Sequence, residues 1–350
     1  MSGKLKILTI DGGGTRGIIP ATILGLLENE RKKTDANFSF REHFDLIAGT
    51  STGGIIALAL AKGVPAIKIA EMYLNKSRKI FDDTVLDDLR DGFGKNLGAD
   101  YTQVNLFKML VAKDLLGRAT LKDIADWRGQ NGKQVQVMIT TFDLSPKDNL
   151  GRDVNFRPRV FNSFFHRDRN ELLADLACRT SAGPTYFPIY QSRYIDGGVA
   201  INNPAMAAIT FAINSSNAEI GEYGGLDNKQ KGLGKNINDL QLFSLGTGTS
   251  THNRIPQEIV GDGDWGNIKW IKYLPDLLTE SNMQTTDYYV SQLMPEQNFL
   301  RIQHDLSTIN KGKVIRLDMT DKKVLSEMYD LAVSYYSKNK DMLHDFVFRY

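Results

Sequence analysis

The N-terminal part of the chain alternates short apolar runs with stretches of helical periodicity. Lys4–Ile10 (KLKILTI) is typical of a buried strand, and Ile18–Arg31 places its apolar residues on one face of a helix. Phe44–Gly49 predicts a second strand, and Thr52–Lys62 predicts a second, apolar helix. Strands that alternate with helices in this way predict a parallel sheet with crossover helices.

The hydrophobic pattern changes after this first unit. Residues 66–132 combine helical segments with polar stretches, which indicates a helical insertion or cap. Further strands are predicted at Val135–Phe142, Arg159–Phe164, Arg193–Ile195 and Asp239–Leu245, and further helices at Glu171–Thr180, Pro204–Ile213 and Lys322–Phe348. Residues 215–238 are rich in glycine, asparagine and lysine, which is typical of a surface excursion.

Together these elements predict a single α/β domain over residues 1–350. We expect a three-layer fold in which a mostly parallel central sheet is flanked by helices. Its core spans about residues 4–250, and residues 251–350 form a mainly helical extension packed on that core. Hydrophobic residues make up 41% of the chain and charged residues 24%, which is typical of a domain with a full core.

Charge and cysteine content narrow the class of protein. The 43 basic and 41 acidic residues nearly balance, which argues against nucleic acid as the main partner. A single cysteine, Cys178, excludes an intramolecular disulfide and fits a reducing compartment. No window of 18 apolar residues predicts a membrane-spanning helix, and the N-terminal apolar stretch is too short for a signal peptide. We therefore expect a cytoplasmic protein whose contact with membranes is peripheral.

Between the second strand and the second helix lies the sequence GTSTG, residues Gly49–Gly53. A GxSxG sequence between a strand and a helix is the context of a nucleophile elbow, in which a tight turn exposes the serine hydroxyl. The neighbours two positions away must be small, and the N-terminus of the following helix favours developing negative charge. Ser51 is therefore a candidate nucleophile, although a plain strand–helix turn with an N-capping serine fits the same pattern.

A second glycine cluster, DGGGTRG at Asp11–Gly17, follows the first strand. Its glycines fit the dinucleotide fingerprint GxGxxG, but residues 32–49 contain no apolar run that ends in an acidic residue. DGGGT also resembles a kinase phosphate loop with the later LGTGT as its partner, although a helix is predicted next instead of a strand. A third interpretation is an oxyanion loop whose backbone amides face Ser51. A plain turn remains the alternative to all three.

A serine nucleophile needs a base, and two candidates are present. The chain has five histidines, namely His43, His166, His252, His304 and His344, and none lies in a glycine-bounded turn. His252 follows LGTGT and keeps a catalytic triad as one possibility. Asp196 ends a predicted strand and precedes two glycines, so it is either a base or a turn-forming residue.

Several ordered motifs between Leu8 and about Gly248 resemble those of the patatin-like phospholipases. The glycine cluster resembles the oxyanion block of that family, and Gly49–Gly53 resembles its nucleophile elbow. Thr180–Pro188 is similar to a third block that lines the site, with Gly183 where many members have alanine. The sequence at Asp196 is similar to the block that holds the catalytic aspartate, and SLGTG at residues 244–248 is also similar to a family stretch.

The resemblance implies a lipid acyl hydrolase with a patatin-like fold and a dyad of Ser51 and Asp196, without histidine. It implies an oxyanion hole at Gly12, Gly13 and Gly14. It also implies supporting roles for Arg16, Gly17, Gly49, Gly53, Gly197 and Gly198. Arg16 either adds positive potential beside the loop or forms a structural ion pair, for which Asp11 is a candidate. No metal or other cofactor is implied, since HExxH and EF-hand motifs are absent from the sequence.

The implied substrate is a phospholipid or lysophospholipid, which requires an apolar channel and access to lipid. Residues 66–132 are one candidate for the channel, and Trp265–Leu278 is a candidate interfacial segment that also fits an ordinary packed helix. Two alternatives stay open: a kinase-like nucleotide-binding protein that uses DGGGT and LGTGT, and a patatin-like effector gated by a nucleotide. The sequence does not specify an oligomeric state.

Overall fold

A computed structural model describes residues 3–80, 103–147, 151–215, 232–249, 255, 257–266, 269–270, 273–313 and 315–349. The strands are β1 (Leu5–Ile10), β2 (Leu46–Thr50), β3 (Gln136–Asp143), β4 (Arg157–Asn162), β5 (Tyr194–Asp196), β6 (Leu240–Leu245) and β7 (Phe299–Ile302). They form one sheet in the order β4-β3-β2-β1-β6-β7, and β5 also pairs with β3. The pairs among β1, β2, β3, β6 and β7 are parallel, whereas β4 and β5 run antiparallel to β3. The predicted mostly parallel sheet is confirmed.

Helices cover both faces of this sheet. The α-helices are α1 (Ile18–Arg31), α2 (Phe40–His43), α3 (Thr52–Lys62), α4 (Ala66–Ile80), α5 (Gln103–Leu110), α6 (Leu121–Asp126), α7 (Leu173–Thr180), α8 (Ala205–Ile213), α9 (Gln257–Val260), α10 (Leu274–Leu293) and α11 (Lys322–Phe348). Successive strand side chains point to opposite faces. Leu8 and Ile47 pack with α1 and α3, while Ile7 and Leu46 pack with α8 and Val290 of α10. The three-layer arrangement is therefore confirmed.

Most of the predicted elements occur close to their expected positions. The helices predicted at Ile18–Arg31, Thr52–Lys62 and Lys322–Phe348 have those bounds in the structure. The region 66–132 contains α4, α5 and α6, and its residues 81–102 lie outside the described residues. The surface excursion at 215–238 also lies largely outside them, over residues 216–231.

One strand was not predicted. β7 comes from the C-terminal extension and pairs in parallel with β6, with Ser244 opposite Arg301. The residues after 250 contain α9, α10 and α11, and through β7 they also supply the outermost strand beside β6 in the central sheet. Because β1, β2 and β6 run in the same direction, the loops that follow them all lie at the carboxyl ends of the strands, where they can meet. Within the part of the chain that the structure describes, no helix is both long and apolar enough to span a bilayer.

Candidate active site

Ser51 lies on a strained turn between β2 and α3. Its backbone has φ 53° and ψ −124°, a conformation that costs energy for any residue with a side chain. A Cβ on Gly49 would collide with the backbone of Gly53, and a Cβ on Gly53 would collide with the carbonyl of Ile10. The Ser51 N–H donates to Thr180 Oγ1 at 2.8 Å, which helps to fix the turn. This is the geometry that the GxSxG sequence predicted.

The register of the sheet brings Asp196 next to this turn. β2 ends with Thr50 opposite Thr140, and β5 places Asp196 opposite the next residue, Thr141. Ser51 and Asp196 are thus brought together on the same side of β3, and they line the same two cavities. The two residues of the expected dyad therefore meet, although they are far apart in the sequence.

The environment of Asp196 changes its acidity. Burial raises the pKa of the carboxyl from 3.8 to about 6, and two hydrogen-bond donors oppose that rise. The Gly198 N–H donates to Asp196 Oδ1 at 2.7 Å, and the Ser51 hydroxyl also lowers the pKa. A carboxylate with a pKa near 6 is still ionised at neutral pH, and it is a stronger base than an exposed aspartate.

The glycine loop after β1 crosses close to the nucleophile. A Cβ on Gly12 would lie 3.2 Å from the Cβ of Ser51. The Gly12 N–H already donates to the carbonyl of Asn202 at 3.0 Å, and the Gly12 carbonyl accepts from Thr247 Oγ1 at 2.7 Å. Among the described residues, nothing accepts a hydrogen bond from the N–H of Gly13 or Gly14. Of the three expected oxyanion donors, the structure leaves these two available.

Asp11 is fully buried, and it pairs with Arg301 rather than with Arg16. The pair is bidentate, with Arg301 Nη2 at 2.6 Å from Asp11 Oδ2 and Nη1 at 3.1 Å from Oδ1. Arg301 Nε lies 3.0 Å from Oδ1 of Asp287, which also accepts a hydrogen bond from Asn203 Nδ2 at 2.8 Å. Although burial opposes it, the two carboxylates raise the pKa of Arg301. The sequence did not single out Arg301, and the proposed Arg16–Asp11 pair is not formed.

Arg16 instead ties two loops together. Its Nη1 donates to the carbonyl of Gly248 at 3.2 Å, and its Nε lies 3.4 Å from the carbonyl of Gly13. The side chain is buried, which lowers the pKa of the guanidinium, and it lines the larger of two cavities. Arg16 therefore links the glycine loop to the SLGTG turn after β6 while it faces the site.

The segment Thr180–Pro188 both stabilises the turn at Ser51 and lines the site. Thr180 Oγ1 donates to the carbonyl of Thr140 at 2.6 Å and accepts from the Ser51 N–H. A Cβ on Gly183 would lie 3.5 Å from Tyr186 and 3.8 Å from Asp196, which are ordinary contacts. An alanine therefore fits at position 183, which explains why glycine and alanine are both compatible with this block.

Two cavities meet at Ser51 and Asp196. The smaller has a volume of about 70 Å³, and the larger about 330 Å³. The smaller lies under α3, α4 and α5 and is lined mainly by apolar side chains: Ile55, Met72, Tyr73, Leu106, Met109 and Phe187. The larger opens towards α10 and is lined by the glycine loop together with Arg16, Asn202, Leu274, Pro275 and Leu278.

Histidine does not take part in the described site. The described linings of both cavities contain no histidine, and His252 lies outside the described residues. Burial lowers the pKa of His43 to about 3 and that of His304 to about 4, so both are neutral at physiological pH. No cluster of three or more potential metal ligands occurs within the described ranges. A helix, α1, follows the glycine loop, which argues against the kinase phosphate loop.

Comparisons with known proteins find relatives over most of the chain. A family model described as patatin-like phospholipase matches residues 8–209. Patatin-like protein 2 of Arabidopsis thaliana is 30% identical, over 93% of this chain and 82% of that protein. Patatin group J-1 of Solanum tuberosum is 28% identical, over 87% and 77% respectively. The solved complex of ExoU and SpcU from Pseudomonas aeruginosa aligns with 97% of this chain and 61% of the matched chain, at 16% identity and a TM-score of 0.34.

Proposed function

Because the chain belongs to the patatin-like phospholipase family, we propose that it is a lipid acyl hydrolase that acts on phospholipids or lysophospholipids. The observation that carries this proposal is the meeting of Ser51, on its strained turn, with Asp196 where two mainly apolar cavities join. A nucleophile beside a base is the minimum that acyl transfer requires. The apolar linings favour an acyl chain as the group that binds there.

Acylation begins with attack of Ser51 Oγ on the ester carbonyl carbon, while the hydroxyl proton passes to Asp196. The carbonyl oxygen becomes an oxyanion, which accepts hydrogen bonds from the amides of Gly13 and Gly14. Such donors are worth about 3–4 kcal/mol of transition-state stabilisation. The ester C–O bond then breaks, and the departing alkoxide takes the proton from Asp196. The first product leaves as an alcohol, and the acyl group stays on Ser51.

Deacylation repeats these steps with water. Asp196 accepts a proton from a water molecule as that water attacks the carbonyl carbon of the acyl-serine. The second tetrahedral oxyanion uses the same amides, and collapse returns the proton to Ser51 Oγ and releases the fatty acid. The raised pKa of Asp196, about 6, supports this dual role, since the carboxylate is ionised at neutral pH and still basic.

We expect the two cavities to bind different parts of the lipid. The smaller one, of about 70 Å³ and lined from α3, α4 and α5, receives the carbons next to the ester carbonyl of the acyl chain that is cleaved. The larger one receives the remainder of the lipid beside Arg16. Its mouth lies at the N-terminal end of α10, where Leu274, Leu277 and Leu278 are each more than 40% exposed. These leucines, with exposed Trp270, support a peripheral contact with a lipid surface by a cytoplasmic protein.

Release of fatty acid from a short-chain ester and from phospholipid vesicles tests the proposal. We expect Ser51→Ala and Asp196→Asn to lose at least about a thousandfold in kcat/KM, because each removes a reacting group. His252→Ala should retain activity within twofold, and its inactivation with preserved folding would favour a triad. A fluorophosphonate probe should label the wild-type protein at Ser51. Hydrolysis that survives Ser51→Ala would refute the proposal.

A further inference from the structure

We infer that Asn282 of α10 is a positioning residue that holds the glycine loop and the Asp196 turn in one arrangement. The inference rests on the proposed function, because it concerns the geometry of the same reaction. Asn282 is half-buried and lies next to Met283, one of the two buried residues of α10 among those described. Its side-chain amide makes hydrogen bonds to two other segments of the chain, and its Nδ2 also donates to the carbonyl of Leu278 within α10 at 2.8 Å.

The first direction leads to the oxyanion loop. Asn282 Oδ1 accepts a hydrogen bond from the N–H of Asn202 at 2.7 Å. The carbonyl of Asn202 in turn accepts from the N–H of Gly12 at 3.0 Å. A Cβ on Gly12 would collide with Asn202 Oδ1, so the Asn202 side chain also packs directly on the loop. One residue, Asn202, thus connects α10 to the loop that carries the amides of Gly13 and Gly14.

The second direction leads to the base. Asn282 Nδ2 donates to the carbonyl of Gly198 at 2.9 Å. The N–H of the same glycine donates to Asp196 Oδ1 at 2.7 Å. The Thr279 methyl group, one turn earlier on α10, packs against Gly198 as well, at 3.6 Å from the position of a Cβ on that glycine. α10 therefore supports the residue that orients the Asp196 carboxylate.

The partners of Asn282 leave only one orientation for its amide. The Asn202 N–H requires an acceptor and the Gly198 carbonyl requires a donor, so the oxygen and the nitrogen each have a fixed place. A side chain without both groups cannot satisfy the two directions together. Asn282 also lies outside residues 8–209, the range matched by the family model. The support is therefore a feature of the C-terminal extension.

The test compares Asn282→Ala with Ser281→Ala. Ser281 is the exposed neighbour on the same helix, and within the described residues its hydroxyl donates one hydrogen bond, to the carbonyl of Leu278 at 3.2 Å. We expect Asn282→Ala to lower kcat on a soluble ester about tenfold with KM changed less than twofold, because the reacting groups are displaced and the binding walls are not. The acid limb of the variant's pH profile, where kcat/KM falls at low pH, should move to higher pH. The reason is that a displaced Gly198 N–H stabilises the Asp196 carboxylate less well, which raises the pKa of Asp196. Ser281→Ala should match the wild type.

Hydrogen–deuterium exchange gives a readout that does not depend on turnover. Peptides that cover residues 11–14 and 197–203 should both exchange faster in Asn282→Ala than in the wild type, and their exchange should be unchanged in Ser281→Ala. Circular dichroism should show that both variants keep the overall fold. An inactive wild type would refute the proposed function but not the structural role of Asn282, because the exchange measurement does not require activity. Unchanged exchange in both peptides, or wild-type kcat and pH profile in Asn282→Ala, would overturn the role of Asn282.

Discussion

Asp196 is a weak base by nature, and its surroundings decide how well it serves the reaction. Burial raises its pKa to about 6, so its ionised fraction increases as the pH rises through that value. Only the ionised form accepts the proton of Ser51. We therefore expect kcat/KM for an uncharged soluble ester to increase through about pH 6 and then level off, as measured between pH 4.5 and pH 8.

The pH profiles of the wild type and of a histidine variant separate this account from two others. An exposed aspartate would place the acid limb near pH 4, since the reference pKa of the side chain is about 3.9. If a histidine were the base, replacing it, as in His252→Ala, would remove the acid limb from the pH profile. Labelling of Ser51 by a fluorophosphonate should show the same acid limb as hydrolysis, because both reactions need the activated hydroxyl. A rate that does not change across this range would contradict the role of Asp196.

The turn at Ser51 depends on a second residue-scale feature, the absence of a side chain at Gly53. A Cβ there would collide with the backbone carbonyl of Ile10, which cannot move without disturbing β1. We expect Gly53→Ala to destabilise the fold by about 1–3 kcal/mol and to lower kcat/KM at least a hundredfold. Urea denaturation and ester hydrolysis measure the two effects. Gly266→Ala is the control, because no described atom lies within 4 Å of its Cβ position and its φ is not positive.

At the scale of elements, β7 and α10 hold the site from outside the family-matched region. Arg301 of β7 pairs with Asp11 after β1 and with Asp287 of α10, so one guanidinium joins three elements. A buried charge that loses its partner is costly, whereas a buried pair adds little by itself. The network therefore stabilises this particular arrangement of strands and helix rather than the fold in general.

This network yields a stability prediction. Arg301→Met leaves the carboxylates of Asp11 and Asp287 without their partner, and we expect a loss of about 3–5 kcal/mol in the free energy of unfolding in urea. Asp11→Asn in the same background should recover part of that loss, since it removes one of the two uncompensated charges. Lys122→Ala, at the exposed pair with Asp126, should leave the midpoint unchanged. Equal effects of Arg301→Met and Lys122→Ala would contradict the account.

The elements show which parts of the molecule the sequence could predict. α1, α3 and the turn at Ser51 carry local signals, namely helical periodicity and glycines at fixed offsets, so their positions were predicted closely. β7 has only four residues with a charge among them, and its neighbours have helical patterns. The partner of Arg301 lies 290 positions away, and the Gly12 amide is taken by a carbonyl 190 positions later. Such long-range contacts leave no local pattern.

At the scale of the whole molecule, the larger cavity opens next to an apolar surface. Leu274 and Leu278 line the cavity, and Leu277 and Trp270 lie beside them with 41% and 42% of their surface exposed. A water-exposed cluster of this kind at a cavity mouth favours contact with lipid, because insertion removes apolar area from water. The lipid would then enter the site directly from its own phase.

Leu277 and Leu293 lie on the same helix and are similarly exposed, at 41% and 46%, but only Leu277 is near the cavity mouth. Burial of one leucine in lipid is worth about 1.5 kcal/mol or more, so we expect Leu277→Ser to weaken binding to phospholipid vesicles about tenfold. Hydrolysis of vesicle lipid should fall in parallel, while hydrolysis of a soluble short-chain ester should stay within twofold of the wild type. Leu293→Ser should match the wild type in both assays. A vesicle cosedimentation assay in which both serine variants bind equally would mean that the lipid surface docks elsewhere on the molecule.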